Sequence, residues 1–119
     1  LKNAEHMLED TSAVSVISEW YCSNDIESRR YHGLSPFTAT DLDSQLRAMG
    51  VETVVVMGVS LNLGVTGLCI EAANLGYQVV VVRDAVAGYP QKYAEAVLEN
   101  TISLVAKLLS AESVIQIWG

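Results

Sequence analysis

The chain has 119 residues, half of them hydrophobic and 18% charged, with a formal net charge of −7. That length suits one domain with a modest core, and no apolar run approaches the ~20 residues a membrane helix needs. Seven basic residues, with no cluster larger than Arg29-Arg30, argue against nucleic acid as a partner, because such binding rests on Lys and Arg against phosphates. The first residues, LKNAEHMLED, are acidic and polar and do not read as a signal peptide. They also lack an initiator Met, so the domain, residues 1–119, is expected to be incomplete at its N-terminus. Cys22 and Cys69 are too few for a disulfide scaffold and show no metal-ligand spacing. Both are read as reduced, which points to a cytoplasmic protein with neither metal nor cofactor.

Residues 1–34 carry the weakest pattern. Ala4 to Asp10 suits a short helix and Ala13 to Ile17 a strand, followed by a polar loop from Cys22 to Glu27. Residues 37–50 are clearer. Thr38 or Thr40 is placed to cap a helix, Asp41 and Asp43 favour its positive end, and Leu42, Leu46 and Met49 form one apolar stripe. Gly50 suits the C′ position. Thr53 to Met57 is a short apolar run of the kind buried in parallel sheets. Asn62 is placed to cap a helix that runs to about Leu75 and stops at Gly76. Gln78 to Val82 reads as the next strand, and the strand–helix–strand unit has the length of a right-handed βαβ crossover. Asp84 to Pro90 reads as a loop. Pro90 opens a long helix whose Tyr93, Val97, Ile102, Val105 and Leu109 lie close to one face. Ser113 to Trp118 alternates enough to suggest a last short strand. The sum is an α/β fold, a parallel sheet sandwiched by helices in a three-layer, Rossmann-like arrangement, with two clear strands and two or three weaker ones.

In open α/β sheets ligands bind beyond the carboxyl ends of the strands, which directs attention to Gly58–Gly67, GVSLNLGVTG. This stretch is not G-x-G-x-x-G, and no Lys comes after it as in a P-loop. Its free backbone N–H groups suit an anion or a developing oxyanion. Tight packing of small residues is the alternative reading of the same glycines, since Gly64 and Gly67 each cost ~1 kcal/mol against alanine inside a helix.

The stretch SPFTATDLDSQLRAMGVETVVVMGVSLNLGV, then LGYQVVVVRDAVAG, resembles the isochorismatase-like (cysteine hydrolase) superfamily over about residues 30 to 109. The LR-x-x-GV-x-T block, the GV-S turn and the GY…DA block keep the family's mutual distances. The resemblance implies a parallel sheet between helices and a site built from an Asp, a Lys and usually a Cys nucleophile. It also implies a turn, often with a non-proline cis peptide, that helps form the oxyanion hole. That turn maps onto Val59-Ser60-Leu61, with the cis bond expected between Val59 and Ser60. The nucleophile position falls on Gly64, and the Lys position on Tyr31, beside Arg30 and His32. Arg30 is too basic to release a proton, so His32 is the nearby side chain suited to acid–base work. Ser35, Phe37 and Asn62 complete the candidate pocket. Cys69 is no substitute nucleophile, because five residues along a helix are ~7.5 Å and ~140° away. No apolar strand ending in Asp precedes residue 30, so the family's acid and its N-terminal strand are not found. Glycine at the nucleophile position occurs in true isochorismatases, which cleave a vinyl ether without a covalent intermediate. The resemblance implies a structural role for Asp84, bonding backbone in the loop that follows it.

Two functions are expected on these grounds. One is a hydrolase acting on a small amide or vinyl ether at the strand ends. The other is a catalytically inactive relative that serves as a ligand-binding or oligomerising module. A homo-oligomer is expected in either case, because the family commonly forms dimers or larger assemblies; Trp20 and Trp118 suit such an interface or the core.

Overall fold

A computed structural model describes residues 15–119. The helix expected at Ala4–Asp10 and the first two residues of the strand expected at Ala13–Ile17 lie outside the described residues. Residues 15–17 are not in a strand. The elements are α1 (Leu42–Ala48), β1 (Thr53–Val59), a π-helical turn (Leu61–Val65), α2 (Thr66–Asn74), β2 (Gln78–Ala87), α3 (Gln91–Asn100), a 3-10 turn (Ile102–Leu104), β3 (Lys107–Leu109) and α4 (Ala111–Trp118). The three strands are parallel and lie in the order β1-β2-β3.

The main core forms on one face of β2. Val79 and Val81 pack there with Cys69 and Ala72 of α2, Ala94, Val97 and Leu98 of α3, and Ile102. Successive strand residues face opposite ways, so Val82 points to the other face. It is buried there, 2% exposed, apart from the main core, and Val114 is buried on α4, which packs against β2. Helices therefore cover both faces, as the composition of the strands implies.

The region before β1 is tied on by one aromatic cluster. Phe37 stacks on Tyr77 with ring centroids 5.9 Å apart. The Tyr77 hydroxyl donates to Asp43 Oδ1 at 2.6 Å, and the Arg47 guanidinium lies 4.3 Å from the Tyr77 ring centre. Arg47 also bonds Asp43 and the Leu75 carbonyl. Burial, and then the bond to Asp43, raises the Tyr77 phenol above its ordinary pKa. This cluster joins α1 to the entry of β2.

Several expectations need correction. Ser113–Trp118 belongs to a helix, not a strand. Ser110 Oγ accepts from the Ser113 N–H at 3.1 Å and Asp84 Oδ1 from the Ala111 N–H at 2.8 Å, so two of the donors left open at a helix start are satisfied. The helix from Pro90 ends at Asn100, short of Leu109, because Lys107–Leu109 pairs with Val80–Val82 as β3. β2 runs to Ala87 and takes in the residues expected to begin a loop at Asp84. Asn62 is not a helix cap. It lies inside the π turn, and Ser60 precedes that turn. At α1 neither Thr38 nor Asp41 makes a capping bond. Thr40 Oγ1 accepts weakly from the Leu42 N–H at 3.3 Å, while Thr38 bonds Glu71. Leu42 and Leu46 face the core and Met49 faces out. Gly50 and Gly76 end their helices with positive φ, as expected.

This packing makes three measurable outcomes expected. Ile102 is fully buried, so Ile102→Ala lowers unfolding free energy by about 2–5 kcal/mol, measured as a drop in urea midpoint at unchanged slope. Ala39 has φ 55°, a left-handed conformation that costs a residue with a Cβ. Ala39→Gly therefore raises stability by about 0.5–1 kcal/mol after glycine's own chain entropy, read as a higher melting temperature. Cys69 is 0% exposed and burial pushes its thiol from 9.0 up to about 11. Its folded state holds the proton more tightly than the unfolded chain. The contribution is therefore complete below the ordinary thiol pKa and is lost as pH rises through about 11. The stability difference between the natural chain and Cys69→Ala shrinks across that window. At pH 8 only Cys22, which is exposed, reacts with a thiol reagent until the chain is unfolded.

Candidate functional site

The candidate site grows from an irregularity in the β1–β2 ladder. Val56 pairs with Val81 and Gly58 with Val86, so β1 advances two residues while β2 advances five. Gly58 has φ 120° there, a conformation open to glycine and strained for other residues. The jump carries the end of β2, and the Gly88-Tyr89 loop after it, to the carboxyl end of β1. The Val59–Ser60 peptide bond is cis, as expected from the resemblance, and so is Tyr89–Pro90.

The π turn starts at this point. The Ser60 carbonyl accepts from the N–H groups of Leu63 at 3.2 Å and Val65 at 3.0 Å. Those of Leu61, Asn62 and Gly64 stand outside that pair, at the end of a helical segment where N–H groups have no intrahelical partner. Thr66 Oγ1 donates to the Leu61 carbonyl at 2.6 Å and firms the turn from behind. Ser60 Oγ donates to Asn62 Oδ1 at 2.8 Å, and Asn62 Nδ2 donates to the Tyr89 carbonyl at 3.2 Å. Asn62 thus latches the two loops together. A Cβ on Gly88 would stand 2.5 Å from Asn62 Oδ1 and 2.9 Å from Ala94 Cβ; the latch closes because residue 88 has no side chain.

The rim of this region is apolar and exposed. Val59, Leu63, Tyr89 and Tyr93 are all more than half exposed, Tyr89 at 87%. None of these four side chains carries a charge.

The remaining predicted residues divide. Gly64 has room: an added Cβ would meet only the Leu34 carbonyl, at 3.9 Å. Arg30 donates to that same carbonyl, so Arg30, Leu34 and Gly64 come together. Ser35 lies beside Gly67, its N–H 3.8 Å from where a Cβ would stand. The two glycines therefore face the backbone of Leu34-Ser35. Phe37 is 7% exposed and sits in the core against Tyr77 rather than at the mouth. His32 is exposed. Tyr31 is 72% exposed and lines a different cleft, with Glu27, Arg29 and Asp41 but with no residue of the π turn. Asp84 Oδ1 accepts from the Ala111 N–H at the start of α4, a structural bond, but to a helix 27 residues away rather than to the loop expected to follow it. No group of three or more His, Cys, Asp or Glu side chains suited to a metal occurs among the described residues. Sequence reasoning missed Gly88 and Tyr89, whose roles depend on the register jump in β2 and carry no local signature.

Comparison with known proteins agrees with this geometry. Residues 2–113 match the model of the isochorismatase domain. An uncharacterised isochorismatase family protein, YwoC of Bacillus subtilis (strain 168), is 35% identical over 80 residues, which is 67% of this chain and 42% of that protein. The chain thus spans less than half the length of the curated relatives it matches. The crystal structure of an isochorismatase-like hydrolase from Alkaliphilus metalliredigens superposes with a TM-score of 0.84 at 29% identity, covering 92% of this chain and 61% of that one. N-carbamoylsarcosine amidase from Thermoplasma acidophilum superposes with a TM-score of 0.77 at 27% identity, covering 88% and 60%. With its parallel α/β core, its cis turn after β1 and these matches, the chain belongs to the isochorismatase family.

Proposed function

We propose that this chain carries a hydrolase-type site for a small uncharged molecule, an amide or a vinyl ether, at the carboxyl ends of β1 and β2. The observation that carries this reading is the Ser60–Gly64 turn. It presents backbone N–H groups beside an open position at Gly64 and is latched to the Tyr89 loop through Asn62. Donors fixed in place before the reaction stabilise a developing oxyanion at no cost in reorganisation. Similarity to an amidase favours a carboxamide over a vinyl ether. With glycine at position 64 the attacking group is water rather than a side chain. Arg30, held at the Leu34 carbonyl beside Gly64, supplies positive charge without proton transfer.

A second reading is a binding module without turnover. It is favoured by the placement of Tyr31 on a separate cleft, which leaves the amine position of the family without a group directed at the turn. An oligomer of this chain, one domain over residues 1–119 and a cytoplasmic location remain part of the proposal.

The two readings part in one experiment. Simple carboxamides such as acetamide and benzamide are titrated onto the protein while ammonia release and backbone amide shifts are monitored. A hydrolase releases ammonia above the uncatalysed background, and the shifts centre on Ser60–Gly64 and Tyr89. Gly64→Leu fills the site; its Cβ position meets only the Leu34 carbonyl among the described residues, at 3.9 Å, and amide spectra unchanged away from the turn show that the variant is folded. Turnover falls at least about 100-fold in that variant, the loss typical of blocking an oxyanion site. Shifts at the turn without ammonia support the binding module, and no shifts there with any probe overturn both readings.

A further inference from the structure

Tyr31 opens onto a cleft of about 510 Å3 that Glu27, Arg29, Ala39, Thr40 and Asp41 also line. That volume lies within the range of roughly 300–1,000 Å3 seen for small-molecule sites. No residue of the Ser60–Gly64 turn lines it, so it is separate from the site described above.

Its chemistry is one-sided. Arg29 pairs with Glu27 at 2.9 Å, and those two charges cancel. Asp41 is the remaining charge. Its carboxylate accepts from Ser28 Oγ at 2.9 Å and from the Gln45 side-chain amide. Two neutral donors leave the negative charge uncompensated and occupy about two of its four lone-pair positions. The same bonds, from Ser28 first and then Gln45, hold the carboxyl below the usual carboxylate range. The Thr40 hydroxyl donates to the Pro36 carbonyl at 2.5 Å, and its oxygen, which accepts weakly from the Leu42 N–H at 3.3 Å, keeps one further lone pair. The Tyr31 ring, 72% exposed, adds an aromatic face that attracts cations. A divalent metal is a poor match, because it would find two carboxylates at most, one of them engaged by Arg29. The chain's net charge of −7 further enriches small cations near the surface.

We infer that this cleft binds a small organic ammonium ion, its charge facing Asp41 and its carbon groups lying on the Tyr31 ring. The Glu27–Arg29 pair walls the cleft without repelling the ligand, since its positive member is already matched.

The test is an amide-shift titration of the whole chain with ethylammonium chloride and choline chloride at low salt. Sodium acetate and sodium chloride at equal ionic strength serve as controls. The expected result is saturable shifts confined to residues 27–41, with a dissociation constant on the order of 1–10 mM, as suits one exposed carboxylate and one ring. Affinity falls at least about fivefold in Asp41→Asn and in Tyr31→Leu, and also as salt screens the charge. Spectra unchanged outside residues 27–45 show that each variant is folded. Shifts that do not saturate, that acetate reproduces, or that both folded variants retain at full affinity overturn the inference. The carboxamide titration is read on Ser60–Gly64 and Tyr89, so failure of either site is seen independently of the other.

Discussion

Burial of β2 on both faces is the constraint on which the other elements depend. Val79 and Val81 face α2 and α3, Val82 faces the side covered by α4, and β1 and β3 flank the strand on its two edges. A strand in that position leaves no face for polar side chains, which is why QVVVV runs without alternation. Each fully buried valine is worth roughly 1.5–3 kcal/mol relative to exposure, so this one segment supplies much of the driving force. α1 is attached more lightly. Leu42 and Leu46 pack half-buried against the core, and Phe37, Tyr77, Asp43 and Arg47 at the strand's entry add an aromatic stack closed by a hydrogen bond and a cation over a ring.

The same strand builds the site. Three extra residues on β2 between the Val56–Val81 and Gly58–Val86 pairs displace its far end and bring Gly88 and Tyr89 against Asn62. The latch is then local chemistry, a serine hydroxyl, an asparagine amide and a backbone carbonyl in series. The consequence is a turn whose donors are fixed by side chains that do not themselves react. That division suits electrostatic stabilisation of a ligand better than nucleophilic attack, and it agrees with a glycine at position 64.

The two surface features in this chain have opposite character. Near Ser60–Gly64 the exposed side chains Val59, Leu63, Tyr89 and Tyr93 are uncharged, and the one nearby charge is the Arg30 guanidinium at the Leu34 carbonyl. The cleft at Tyr31 is polar, with one carboxylate more than it has cations. The resemblance joins Tyr31 and Gly64 in a single catalytic set, whereas the fold places Arg30 at the Leu34 carbonyl above Gly64 and Tyr31 on the other cleft.

What the sequence by itself determined is whatever rests on local chemistry. The apolar run at Thr53–Met57 and the strand start at Gln78 read correctly because short apolar runs bounded by glycine suit parallel strands, although in β1 only Val56 is fully buried. The helix ends at Gly50 and Gly76 read correctly because a left-handed C′ position favours glycine. Cys69 as a packing residue could be read from helix geometry alone, whereas the structural role of Asp84 came from the resemblance and its partner, Ala111, from the fold. The tertiary structure decided the rest. Lys107–Leu109 is only three residues long and is a strand because β2 offers an edge to pair with. Ser113–Trp118 is a helix because Ser110 and Asp84 satisfy its first N–H groups, and Asp84 does so from 27 residues away. Short apolar segments fit either period, so their partners choose between helix and strand. The latch through Asn62 likewise exists only where two distant loops meet, and no local pattern encodes that meeting.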